Sequence, residues 1–514
     1  MTATPSSGRL AARVGAGILV TRILGFVRER VFAHYFGDGA AADAFRAALR
    51  IPNIIRNLLG EGTLSASFIP VYAGMIERGE IDDARRLSGV IASLLVLLTA
   101  VAALLGIVFA PIITDFAAPG FTGTKRDLTV TLVEIMFPMS GVMILSAWCL
   151  GVLNTYRRFF LSYAAPAVWN IAQIATLLAL GGMLLEIRLV VALAWGALVG
   201  SILQVVIQLP ATLGHTGGIR WSVRLGTPGV RRVIRAWVPV VFGAGVYQIS
   251  SLIDQQLASL LPTGAVAILG YAQLVALLPV SLFGVSVAAV ALPELSRNVA
   301  GNDVEELRSR LALGLRRVAF FVLPSAAALA ALPKEILGGL FQTGAFGATQ
   351  TAIAAGVLAA YAIGIPAQAT VKLFASGHYA FGDTRTPVRI AAVSVVVSAG
   401  SAYLLMQRFG PAGIALGAAI AAYLNAGLNL ATLARRVGSI TGGVMQRWLA
   451  VAAGSVVPAT IAGVAASRAV DGRVGLAAVL SLAAFGLVYG GCTVLLGHPD
   501  ARGLLARVRR PRSS

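Results

Sequence analysis

The sequence predicts an all-α polytopic membrane protein of about fourteen transmembrane helices, and three observations predict it. Hydrophobic residues make up 57% of the 514 and charged residues 12%, with a mean hydropathy of +0.83. Soluble globular chains carry about 25% charged residues. Apolar runs of helix length recur from end to end, and about 20 such residues cross the hydrocarbon core of a bilayer. Short alternating segments separated by tight turns, which would mark a transmembrane barrel, are missing.

The runs fall at 10–36, 41–76, 87–113, 128–154, 159–184, 188–210, 231–260, 265–295, 311–333, 350–377, 387–407, 411–433, 446–467 and 473–496, each broken by Pro, Gly or charge. The first continues into an Arg-bearing segment and lacks a small-residue cleavage site, so it reads as a retained span rather than a signal peptide. The second is longer than a straight crossing needs.

An internal repeat organises these spans. Gly15-Ala16-Gly17 returns as Gly243-Ala244-Gly245, Pro52 as Pro279, Pro70 as Pro293, and the linker Gly79–Asp83 as Gly301–Glu305. Pro111, Pro138, Tyr156 and Pro166 are echoed by Pro333, Pro366, Tyr379 and Pro387. Six spans per repeat, an even number, give two parallel lobes at 1–210 and 231–435, joined by a basic linker at 211–230. Two additional helices at 436–498 and a basic tail at 499–514 follow. Transporters built from repeats place the cargo site between the lobes and alternate its access.

Basic residues set the orientation. Arg78, Arg85, Arg86, Arg157, Arg158, Arg220, Arg224, Arg231, Arg232, Arg235 and the tail arginines from Arg502 to Arg512 fall on one side, which places both termini in the cytoplasm. The net charge of +20 follows largely from this bias, so anionic membrane lipids are the expected electrostatic partners and nucleic acid is not.

Arginine inside the spans is the chemical signal. Arg22, Arg28, Arg30, Arg46, Arg50 and Arg56 lie in otherwise apolar stretches. Each costs about 2.5–3.5 kcal/mol at a helix centre on insertion scales, so a cluster implies a wet cavity or an anionic ligand. Arg22 and Arg28 are separated by about 9 Å along a helix and 600° around it, a broad shared face. By contrast, Cys149 and Cys492 sit far apart in apolar runs as packing residues. His34, His215, His378 and His498 are too scattered for a metal site, and Walker and nucleophile motifs are missing, which points away from an enzyme or an ATP-driven pump. Glycine pairs such as Gly15, Gly17 and Gly25 suit close helix packing, and Pro52, Pro138, Pro279 and Pro366 are expected to kink helices.

The stretch TRILGFVRERVFAHYFGDGAAADAFRAALRIPNIIRNLLGEGTLSASFIPVYA, Thr21 to Ala73, resembles the N-terminal signature of the MurJ/MviN lipid II flippases. LFQTGAF at Leu340–Phe346 and YAIGIPAQATVKLFASGHYAFGDTRTP at Tyr361–Pro387 agree with it. The resemblance implies a MATE-like fold with fourteen helices and a central cavity. It also implies export of the undecaprenyl-pyrophosphate-linked peptidoglycan precursor, lipid II, from the inner to the outer leaflet of the bacterial inner membrane, with cell-wall synthesis proteins as potential partners. By motif position it makes Arg22, Arg28 and Arg56 phosphate-facing, with Asp43 and Glu61 orienting or neutralising them. Family members with a basic residue in the eighth helix after a Tyr-Ala pair differ here, because Tyr271-Ala272 is followed by Gln273-Leu274; Lys372 is the candidate to supply part of that field. The resemblance further suggests a sodium site in the second lobe, which draws attention to Asp254 and Asp383, although Asp383 also reads as a helix cap. Membrane potential is the alternative drive. A cation-coupled exporter of drugs or of another polyprenyl-linked saccharide is the rival reading on the same fold.

Overall fold

The computed structural model of the chain describes residues 7–440, 442–470 and 473–509, and these are helical almost throughout. Twenty α-helices follow in order: α1 (Ser7–Phe36), α2 (Ala40–Leu59), α3 (Glu61–Glu77), α4 (Ile81–Val108), α5 (Ala110–Ala117), α6 (Gly123–Thr155), α7 (Phe159–Ala164), α8 (Pro166–Leu180), α9 (Glu186–Thr216) and α10 (Val230–Ser259). Then come α11 (Ala265–Pro279), a π-helical turn (Val280–Gly284), α12 (Val285–Ala300), α13 (Val304–Ala331), α14 (Pro333–Phe341), α15 (Ala348–Ala380), α16 (Arg385–Phe409), α17 (Pro411–Val437), α18 (Gly443–Arg468), α19 (Val474–Leu495) and α20 (Pro499–Arg509). Among the described residues, eleven helices or joined helices are long and apolar enough to cross a membrane. The α1 helix, the α2–α3 pair and α10 are also long enough, and with them the expected fourteen spans are reached.

The chain forms two compact units, one comprising 1–267 with 343–345 and the other 268–342 with 346–514. In the first, α6 is the helix on which the others lean: α2, α3, α4, α5 and α9 all pack on it, and α8 packs on α9 and α1. Its core joins Phe68, Tyr72, Leu87, Ile144, Trp148 and Val152. In the second unit α15 has the same role, with α12, α13, α14 and α17 against it, while α18 packs on α13 and α19. These two helices are the same length, 33 residues, and each carries one of the echoed prolines, Pro138 and Pro366.

The repeat extends further along the chain. Helices α4 and α13 both have 28 residues and follow linkers in which Gly79 (φ 78°) and Asn302 (φ 55°) turn through the left-handed region. Each is succeeded by a short helix, α5 or α14, that starts with its echoed proline, Pro111 or Pro333, in the first turn, where proline's missing N–H costs nothing.

Two features differ from the sequence expectation. The expected lobe boundary at 230/231 is not where the units divide: α10, the first helix of the second repeat, belongs by contact to the first unit. Val230 and Val233 enter that unit's core, the Gln255 side-chain amide donates to the carbonyls of Ala47 and Ala117, and that of Gln256 donates to Phe116. Close glycine packing also lies only partly where expected. Gly17 seats the α7 backbone at Tyr163 and Ala164, whereas Gly15 and Gly25 have open space around them. In addition Gly196 and Gly200 on α9 seat Thr176 and Ala172 of α8, and Gly413 and Gly417 on α17 seat the α16 backbone at Leu405 and Ala402. Both pairs have the Gly-x-x-x-Gly spacing that lets two helix backbones approach in lipid, where burial of apolar surface gives no drive.

Candidate functional site

The arginines of the first unit gather on α1 and α2 for local reasons. Helix α2 packs on α6 and buries Ala41, Ala42, Ala44, Ala47 and Ala48, small side chains that allow a close approach, and the same helix carries Arg46, Arg50 and Arg56. It ends at Gly60, whose backbone (φ −97°, ψ −134°) breaks the helix before α3. Arg56 therefore stands in the last turn of α2, where a cation meets the negative end of the helix dipole.

Glu29 organises the centre of this group. One of its oxygens accepts from Arg28 at 2.6 Å and the other from Arg46 at 2.7 Å, so one carboxylate bridges α1 to α2 with two guanidiniums. The three side chains are only 12–19% exposed. Arg28 also lies 4.6 Å over the Trp169 ring and Arg46 lies 5.2 Å over Phe32. A small cavity opens between Arg28, Glu29, Phe32, Phe45, Arg46 and Gln173. Two guanidiniums thus share one carboxylate and are fixed in direction by stacking and pairing. Glu29 was missed in the sequence; the signal that marks it is an acid flanked by Arg28 and Arg30 within a spanning segment.

The remaining candidates are placed as follows. Arg22 is exposed on α1. Arg50 donates to the Gln255 side-chain oxygen at 3.0 Å, and Arg56 touches the Met143 sulfur at 3.3 Å. Asp43, expected beside an arginine, instead accepts from the backbone N–H groups of Gly264 (2.8 Å) and Ala267 (2.9 Å), with the Lys125 ammonium at 3.5 Å. The reason is burial: at 1% exposure the carboxylate needs donors, and the first turn of α11 offers amides that no helix carbonyl can satisfy. Glu61 opens α3, and its side chain lies outside the described residues. Lys372 is exposed on α15 of the second unit.

The two aspartates of the suggested sodium site have separate surroundings. Asp254, on α10 of the first unit, is half-buried and within electrostatic reach of Arg50. Asp383 caps α16 in the second: one oxygen accepts the Thr386 N–H at 3.0 Å, the other accepts the Thr386 hydroxyl at 2.8 Å and Arg436 at 2.7 Å. The Thr386 amide first, then its hydroxyl and the Arg436 cation, hold this carboxyl down at about 2. Oxygens engaged by a guanidinium do not suit a sodium ion, and among the described residues no group of three or more His, Cys, Asp or Glu is placed to hold a metal.

Comparison with known proteins decides the family. The family model "Lipid II flippase MurJ" matches residues 32–472. The chain belongs to the MurJ family of lipid II flippases. It is 36% identical over 433 residues to the probable lipid II flippase MurJ of Rhizobium tropici, covering 82% of this chain and 80% of that one. It is 34% identical over 434 residues to the lipid II flippase MurJ of Burkholderia cenocepacia, covering 83% and 84%. A solved MurJ structure, in an inward closed conformation, superposes with a TM-score of 0.79 at 22% identity over 96% of this chain and 99% of that one. An inward-facing MATE-family multidrug transporter superposes at 0.68 and 14% identity over 84% and 99%, which shows that the fold is shared with that superfamily. Of the residues gathered on α1 and α2, Arg46, Arg50 and Arg56 lie inside the family match, while Arg22, Arg28 and Glu29 precede its first residue.

Proposed function

We propose that the chain carries lipid II from the inner to the outer leaflet of the bacterial inner membrane, with both termini cytoplasmic, and that guanidiniums of α1 and α2 hold the diphosphate during the crossing. The supporting observation is the pairing at Glu29, where one carboxylate is shared by Arg28 and Arg46 and orients both. A diphosphate entering there meets guanidiniums that stay charged at any physiological pH and can donate to it bidentately. Polar headgroup and sugars need this charged, hydrated route, whereas the polyprenyl tail is apolar and stays in lipid. Glu29 keeps the two guanidiniums oriented before cargo arrives, so less ordering is left to occur on binding.

The test is complementation of a strain depleted of its essential lipid II flippase, with membrane levels of each variant measured. The unaltered chain is expected to restore growth, and Arg28→Ala and Arg56→Ala to fail at normal membrane levels. Growth supported by Arg22→Ala, Arg28→Ala and Arg56→Ala alike would overturn the diphosphate assignment. A well-expressed chain that fails to complement but protects a sensitised strain from amphiphilic cations would favour the drug-exporter reading.

A further inference from the structure

The connection between α9 and α10 packs Ile219 on the core of the first unit but does not tuck away the apolar side chains after it. From Ile219 to Pro228 it runs without helix, and Trp221, Val223 and Leu225 are 65%, 57% and 51% exposed. They alternate in sequence with Arg220, Ser222 and Arg224, and the two arginines are exposed as well, so the strap presents apolar and cationic side chains together at the surface. The backbone of this strap is fixed. The Ser222 N–H donates to the Ser93 hydroxyl of α4 at 3.1 Å, and Arg220 lies so close to Gly89 that a Cβ there would come within 2.5 Å of its carbonyl oxygen. The Arg224 N–H donates to the Ser222 hydroxyl and its carbonyl accepts the Thr227 hydroxyl, so the strap satisfies much of its own polar backbone.

Depth follows from the α4 register. Ser93 is seven residues beyond Arg86, or about 10 Å along a helix at 1.5 Å per residue. Arg86 marks the charged end of α4, so the strap lies level with its first apolar turns. That is the depth of the headgroup and acyl boundary, where interfacial segments bury an apolar face about 5–10 Å deep and where tryptophan is enriched.

We propose that the Ile219–Pro228 strap is an interfacial membrane-binding segment: Trp221, Val223 and Leu225 enter the acyl boundary of the leaflet, and Arg220 and Arg224 hold its anionic headgroups. Charge complementarity selects this occupant. Arg231, Arg232 and Arg235 follow within two turns of α10, and each basic residue near an anionic leaflet contributes about 1 kcal/mol of attraction. Among the described residues the carboxylate paired with the strap is Asp82, 3.5 Å from Arg220, and both side chains are about half exposed or more. The assignment goes beyond cargo transport, since it concerns bulk lipid rather than lipid II.

The test uses the full chain in nanodiscs, with phosphatidylcholine alone or mixed with phosphatidylglycerol, and with lipids brominated near the headgroup end of the acyl chain. Subtracting Trp221→Phe from the unaltered protein isolates the emission of Trp221 from that of the other five tryptophans. Because Trp221 is exposed, this substitution leaves the fold intact, as thermal unfolding of both proteins verifies. The Trp221 component is expected to be quenched by brominated lipid, more strongly when phosphatidylglycerol is present, and that difference is expected to vanish in Arg220→Gln/Arg224→Gln. A Trp221 component that ignores brominated lipid but is quenched by aqueous iodide would overturn the proposal. Quenching that is equal with and without phosphatidylglycerol would overturn its anionic-lipid part.

Discussion

Glu29 carries more of the site than its single charge suggests, because two guanidiniums depend on it for position. Replacing it with glutamine removes the carboxylate that Arg28 and Arg46 share, and losing one member of a buried ion pair costs about 3–5 kcal/mol. Glu29→Gln is therefore expected to lower the unfolding midpoint of the purified protein, and Glu29→Gln/Arg46→Gln to recover part of the loss because the repulsion is relieved; a double variant less stable than the single one would contradict the pairing. Asp383 gives a pH-dependent counterpart. Its carboxyl is held at about 2, below the ordinary aspartate value of about 3.9, so its contribution to stability is full above about pH 4 and is lost as pH falls toward 2. Asp383→Asn is expected to be less stable than the unaltered protein at neutral pH, with the gap closing over that window; a gap independent of pH would assign the loss to something other than the charge. The sequence identified Arg28 because a charge in an apolar run stands out. It did not identify the bond between Glu29 and Arg46, 17 residues apart on different helices, because that contact exists only once α1 and α2 are packed.

Among the helices, the α9 glycine pair takes α8 close against it and the α17 pair takes the α16 backbone. A methyl group at Gly417 would come 2.6 Å from the Ala402 nitrogen, whereas Gly427 on the same helix has nothing within 4 Å. Gly417→Ala is expected to destabilise the protein by about 1–3 kcal/mol, the usual range for overpacking, and Gly417→Leu by more. Gly427→Ala is the control and is expected to be neutral or slightly stabilising, since alanine favours helix over glycine. Thermal unfolding in one detergent checks all three; equal effects at 417 and 427 would rule out the packing account. The sequence pointed to glycines on α1, of which Gly17 packs closely on α7 and Gly15 and Gly25 do not. Gly-x-x-x-Gly spacing was present at 196/200 and 413/417, but spacing alone does not say which face meets a neighbour.

At the scale of the whole chain, the repeat was legible because prolines, charged linkers and helix lengths are local signals that survive divergence. The paired α4 and α13, α5 and α14, and α6 and α15 all emerge where the echoed residues placed them. The membership of α10 was not legible, since it depends on side-chain amides finding main-chain carbonyls some 140 to 210 residues away. The proposed orientation makes its own prediction. With the native cysteines replaced, Asp127→Cys and Glu305→Cys occupy well-exposed positions, 76% and 84% for the native side chains. A membrane-impermeant thiol reagent added to intact cells is expected to label position 127 and to reach 305 only after the membrane is opened; the reverse pattern would invert the topology.

The Asp43 contact has a genetic consequence. Its acceptor role falls on one side chain, but its donors at Gly264 and Ala267 are main-chain amides that every residue except proline possesses. The bond itself therefore sets no side-chain requirement at either donor; what restricts Ala267 is its full burial, and what restricts position 264 is its left-handed turn (φ 102°) together with the Asp38 carbonyl oxygen, which a Cβ would approach to 2.8 Å. Covariation between homologues would be silent for this contact although it spans more than 220 residues, and suppressors of an Asp43 substitution would have to arise at Lys125 or elsewhere, because the amide partners have no side-chain identity to exchange.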